Sequence, residues 1–120
     1  MKKNIILIEK SNMVFQLLRE KLKTCFKNKI KVLRYNNSSQ YIESKNSNCD
    51  LYIYDYENSS EDFKKFLKYL KDNNKKSTLI FSNILDNEKN INLSEYDDEY
   101  IKFSKYNELN EKIQEELKIN

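Results

Sequence analysis

The chain has 120 residues, a formal net charge of +3 and a mean hydropathy of −0.90, and it contains no Gly, Ala, Pro, His or Trp. Without glycine no loop can cradle a nucleotide phosphate, and without histidine there is no imidazole base, phospho-carrier or metal ligand, so dinucleotide-fingerprint, P-loop, EF-hand, zinc-protease and serine–histidine chemistries are excluded. The missing Gly, Ala and Pro have G/C-rich codons, which points to an AT-rich bacterial source, and the length provides one domain, residues 1–120, able to bury a core without staples.

Met1-Lys2-Lys3-Asn4 precedes only four consecutive apolar residues, Ile5 to Ile8. That run is too short for a signal-peptide core or a membrane span, so a cytoplasmic protein is expected, and the run reads as a first strand. Val14, Leu17, Leu18, Leu22 and Cys25 then recur at helix spacing, with Ser11 or Asn12 available as cap. Ile30-Lys31-Val32-Leu33 reads as a second strand, and Ser39 to Lys45, anchored by Tyr41 and Ile42, as a short helix or irregular crossover. Leu51-Tyr52-Ile53-Tyr54 is the third strand. Behind Ser60, Phe63, Phe66, Leu67 and Leu70 repeat at i, i+3, i+4 and i+7, with Glu61 and Asp62 in the first turn, predicting the clearest helix. Thr78 to Phe81 is the fourth strand, Ile84 to Glu95 a second short or irregular crossover, and Tyr100 to Phe103 the fifth strand. A last helix is expected from about Lys105 to the end, with Leu109, Ile113 and Leu117 on one stripe.

This alternation predicts an α/β domain: one five-stranded parallel sheet with helices on both faces and right-handed connections. Cys25 and Cys49 have no partner ligands at metal spacing and read as buried thiols. Residues 1–35 carry ten Lys/Arg against two acids, and residues 84–120 carry ten acids against five Lys. The lysines are spread through a periodic apolar pattern, so they read as a solvated face, and direct nucleic-acid binding is not expected.

In an open parallel sheet, chemistry collects beyond the carboxyl ends of the strands. The polar residues placed there are Glu9 and Lys10, Asn36 to Ser39, Asp55, Ser82 and Asn83, and Lys102. Asp55 stands out because an apolar strand runs straight into it, and a carboxylate in that place must be solvated, paired or functional.

The arrangement resembles the receiver domain of bacterial response regulators. Ile5-Ile6-Leu7-Ile8-Glu9-Lys10-Ser11 matches that family's first strand and the acids after it. Asp50-Leu51-Tyr52-Ile53-Tyr54-Asp55 matches its third strand ending in the phosphoacceptor. Ile80-Phe81-Ser82-Asn83 matches its fourth strand, and Asp97-Asp98-Glu99-Tyr100-Ile101-Lys102 the approach to its lysine. From Lys102, Lys-Phe-Ser-Lys-Tyr-Asn-Glu-Leu aligns without a gap to the Lys-Pro-Phe stretch and the opening of the last helix.

The resemblance implies a flavodoxin-like, doubly wound sheet of order 2-1-3-4-5. It implies a non-enzymatic phosphorelay domain in which Asp55 accepts a phosphoryl group from a sensor histidine kinase or phosphohistidine carrier, while Ser82 and Lys102 bind phosphoryl oxygens. Signalling would pass by protein contact to a downstream protein or a separate output domain, with a homodimer through the fourth crossover, fifth strand and last helix. The alternative is a pseudo-receiver acting by dimerisation or partner binding without phosphorylation, as the N-terminal domain of a transcription regulator. A flavin carrier is disfavoured, because no Ser/Thr/Gly run follows the first strand.

The resemblance also implies Mg²⁺ held by Glu9 and Asp55. The second acid of the family is Lys10 here, which removes an oxygen ligand and repels the ion, so metal binding is expected to be weak or lost. The Lys10 ammonium is expected to take the metal's place and pair with Asp55. Phe103 replaces the family's proline, and Glu99 stands where the switch aromatic falls, with Tyr100 beside it.

Overall fold

The structure is a computed structural model describing residues 2–55, 60–73, 78–82, 101–105 and 108–119, of which 60, 79–82 and 101–105 are described as backbone only. The elements run β1 (Lys3–Ile8), α1 (Asn12–Phe26), β2 (Ile30–Tyr35), α2 (Ser38–Ser44), β3 (Leu51–Asp55), α3 (Ser60–Asn73), β4 (Thr78–Ser82), β5 (Ile101–Lys105) and α4 (Leu109–Leu117). All strand pairs are parallel, and the strands lie in the order β2-β1-β3-β4-β5. This is an α/β fold with a parallel sheet and helices packed on it.

The continuous apolar runs of β1 and β3 follow from their position, since strands in a covered parallel sheet bury both faces. Ile5, Leu7, Leu51 and Ile53 pack with Leu18, Leu22 and Phe26 of α1 and with Leu109, Ile113 and Leu117 of α4. Ile6, Ile8, Tyr52 and Tyr54 point the other way, against Tyr41 of α2 and Phe63, Phe66, Leu67 and Leu70 of α3. The period of two along each strand thus sorts the core into two layers. Cys49 is buried in the second layer, and Cys25 packs at the margin of the first. Among the described residues no helix is long and apolar enough to cross a membrane.

Caps explain where the helices start. The Ser11 hydroxyl accepts from the Val14 N–H at 3.2 Å, and Asn37 Oδ1 accepts from the Gln40 N–H at 2.8 Å. They end on lysines: Lys27, Lys45 and Lys118 follow α1, α2 and α4 with φ of 52°, 55° and 55°. Each donates its backbone N–H into the last turn, to Lys23, Ile42 and Gln114 respectively.

One boundary differs from the sequence expectation. Lys105 belongs to β5 rather than to the last helix, which begins at Leu109. The reason is the ladder: Ser104 pairs with Phe81 and Lys105 with Ser82, which keeps both residues extended. The expected crossover from Ile84 to Glu95 lies outside the described residues.

The second layer is rich in phenols. The Tyr41 and Tyr52 hydroxyls meet at 2.6 Å, and Tyr41 Oη donates to the Asn46 carbonyl at 2.8 Å, so Tyr52 is the donor between the two phenols. The Tyr41 ring also stands edge-on to Tyr35 and Tyr69. Burial holds both hydroxyls well above the ordinary tyrosine range. In the unfolded chain they ionise near pH ~10. Above that pH the folded state binds more protons than the unfolded one, so this contribution to stability is fully present at lower pH and is lost as pH rises. In an alkaline titration followed by phenolate absorbance, Tyr41 and Tyr52 are expected to ionise only as the domain unfolds. Reversible ionisation of all nine tyrosines as one class, with far-UV circular dichroism unchanged, would contradict this.

Candidate functional site

The carboxyl ends of β1, β2 and β3 and the first turn of α3 enclose a cleft of about 480 Å³ lined by Ile8, Lys10, Asn36, Asn37, Tyr54, Asp55 and Asp62. Asp55 is the last residue of β3 and is buried, 5% exposed. The parallel topology puts it there: Ile8 is level with Tyr54, so the chain leaving β1 passes the same edge. Glu9 is fully buried; its N–H donates to the Tyr35 carbonyl at 3.0 Å, and its Oε2 accepts from the Ser11 N–H at 3.0 Å. Its Oε1 has no hydrogen-bond partner among the described residues.

Two side chains that sequence reasoning passed over shape this cleft. Arg34 on β2 fastens the loop between β1 and α1: Nε donates to the Glu9 carbonyl at 3.0 Å, Nη2 to the Lys10 carbonyl at 3.1 Å, and Nη1 to Asn12 Oδ1. Its guanidinium lies 5.0 Å from the centre of the Phe15 ring, a cation–π contact. Asp62 ties the opposite wall. Its carboxylate accepts from the Ser38 N–H at 3.0 Å, the Ser38 hydroxyl at 2.8 Å and the Tyr54 hydroxyl at 2.6 Å. The second of these walls had a partial signal, an acid in the first turn of a helix, but nothing in the sequence pairs it with Ser38.

Lys10 shares the cleft with Asp55 and is exposed. The expected ion pair between them is not among the contacts of the described residues. Arg34 holds the Lys10 backbone, and for an exposed ammonium an ion pair repays little of the hydration and side-chain freedom it costs. The donor set does not suit magnesium, which needs octahedral oxygen ligands. Of the two Glu9 oxygens one is committed to Ser11 and only Oε1 is left to offer, and the residue that follows it into the cleft is Lys10, a like charge to the ion.

Of the other site residues read from the sequence, Ser82 ends β4 at the same edge, one residue beyond Phe81, the partner of Asp55. Lys102 is the second residue of β5, level with Leu79, whereas Lys105 is level with Ser82. Lys105 lies three positions beyond Lys102, about 10 Å along a strand. Lys102 therefore stands within the sheet and Lys105 at its carboxyl edge. Asn83 and the segment Asp97 to Tyr100 lie outside the described residues.

No protein-family model and no curated protein matches the chain. Among solved structures it is similar to the crystal structure of a response regulator from Thermotoga maritima, with a TM-score of 0.72 at 13% sequence identity, covering 98% of this chain and 99% of that one. The likeness is one of fold, spanning nearly the whole of both chains.

Proposed function

We propose that this domain is a receiver-type signalling module whose Asp55 accepts a phosphoryl group. The observation that carries the reading is the place of Asp55: a buried carboxylate ending the third strand of a response-regulator-like sheet, opening on a polar cleft. Such a site suits positioned attack on phosphorus, where orientation and charge neutralisation supply most of the catalysis. The sheet order 2-1-3-4-5 belongs to the doubly wound flavodoxin-like class, which places ligands at this edge.

In this reading the domain is not an enzyme in its own right. A histidine kinase or phosphohistidine carrier supplies the phosphoryl group in a bacterial cytoplasm, and a downstream protein or output domain reads the result. Ser82 and a lysine of β5 meet the phosphoryl oxygens. Lys102 carries the sequence resemblance and Lys105 the register; comparing Lys102→Met with Lys105→Met assigns the role. The alternative, a pseudo-receiver signalling by partner binding alone, draws support from Lys10 standing where a metal-binding acid would be.

Incubation with an acyl phosphate, followed by intact-mass measurement, tests the proposal. One phosphoryl adduct is expected on the wild-type chain and none on Asp55→Asn. An adduct that survives Asp55→Asn, or no adduct under any ionic condition, overturns the phosphoacceptor role and leaves the pseudo-receiver.

A further inference from the structure

Resting on the phosphoacceptor reading, we infer that Lys10 is the built-in cation of the site: it receives the phosphoryl dianion beside Asp55, so that transfer proceeds without a divalent metal. The mismatch between the cleft and magnesium is the starting point. Lys10 and Asp55 line one cleft, the lysine side chain is exposed, and no acid among the described residues holds its ammonium in an ion pair. The positive charge is thus available to an incoming anion, whereas a dication entering the same space meets it as a like charge.

The surroundings fit this role. Arg34 fixes the Lys10 carbonyl, and Glu9 Oε2 with the Ser11 cap fixes the turn on its other side, so the root of the side chain is held. Asn36 and Asn37 stand on the wall as further polar groups, and the Asn37 oxygen is taken by the Gln40 N–H, which leaves its amide N–H₂ as the free end. The other acid of the wall, Asp62, has both carboxylate oxygens occupied by Ser38 and Tyr54 donors, which lessens its repulsion of an anion.

The step balances without a metal or a proton. A carboxylate oxygen of Asp55 attacks phosphorus; the new O–P bond forms as the P–O bond to the donor's acyl oxygen breaks, and that electron pair leaves on the donor as its carboxylate. Lys10 offsets the charge on the phosphoryl oxygens during the exchange.

Adduct formation from an acyl phosphate is measured by intact mass in EDTA and in Mg²⁺, for wild type, Lys10→Met, Lys10→Arg and Lys10→Asp. The wild-type rate is expected to be the same in both buffers and to fall with added neutral salt. Lys10→Met should slow the reaction about tenfold or more, Lys10→Arg should retain it, and Lys10→Asp should become dependent on Mg²⁺. A wild-type reaction that needs Mg²⁺, or a Lys10→Met variant as fast as wild type in EDTA, overturns the inference while leaving Asp55 as acceptor. If wild type forms no adduct at all, the phosphoacceptor reading falls. NMR titration with an unreactive acyl phosphonate in EDTA then decides the anion site by itself. Shifts at Lys10, Asn36 and Asn37 that vanish in Lys10→Met support it, and their absence in wild type overturns it.

Discussion

Phe66→Ala is expected to destabilise the domain by about 3–5 kcal/mol, the range for emptying a buried phenylalanine site. Phe66 is fully buried between α3 and the sheet, with its ring stacked on Tyr54 at 5.0 Å and edge-on to Tyr52 at 5.6 Å. The upper part of the range applies because the neighbours cannot move in. Tyr52 is held through its hydroxyl by Tyr41, and Tyr54 through its hydroxyl by Asp62, each at 2.6 Å. Relaxation into the cavity would break those bonds. Against a total stability of roughly 5–15 kcal/mol for a domain of this kind, the loss is a large share. With no tryptophan in the chain, urea unfolding is followed by far-UV circular dichroism. A loss below about 1 kcal/mol would mean that the layer is not packed as described.

Asp62→Ala is expected to cost roughly 2–3 kcal/mol and to reshape the cleft. The carboxylate serves three donors at once and joins the first turn of α3 to the first residue of α2 and to the residue before Asp55. Its removal takes the acceptor from the Ser38 N–H, one of the helix-end donors that has no partner inside α2. The Ser38 hydroxyl keeps a weaker alternative in the Asp62 carbonyl at 3.1 Å. Asp62→Asn is not a full rescue, because the amide turns an N–H₂ toward donors on one side. Hydrogen exchange should show faster opening at Ser38 and through the start of α2, along with the drop in urea midpoint. Unchanged exchange at Ser38 would remove Asp62 from this role.

The contrast between what was readable and what was not has a physical origin. β1 and β3 are legible because burial on both faces leaves uninterrupted apolar runs, and α3 because its buried face repeats with the helix period. Asp55 is legible for the same reason, being the polar residue that ends such a run. The start of α4 is not, since Ser104 and Lys105 are polar residues kept extended by a ladder to β4, and a chain without Gly or Pro offers no punctuation there. Arg34 and Asp62 escaped because their partners are remote, Glu9 lying 25 positions from Arg34 and Ser38 24 from Asp62. Lys10 was legible as a lysine standing where the resembled family has its second acid. That it shares the cleft of Asp55 without pairing to it emerges only once the backbone is folded.

The lysines that close α1, α2 and α4 give the absence of glycine a measurable meaning. A side chain in a positive-φ cap suffers a steric cost of about 1 kcal/mol that glycine avoids, and Lys27, Lys45 and Lys118 all occupy such positions. Their ammonium groups recover part of it, since positive charge is favoured at a helix's carbonyl end. The absence of glycine is thus registered in the protein as conformational strain at three addressable positions. Glycine at these positions would relieve that strain, away from the cleft and without touching the core.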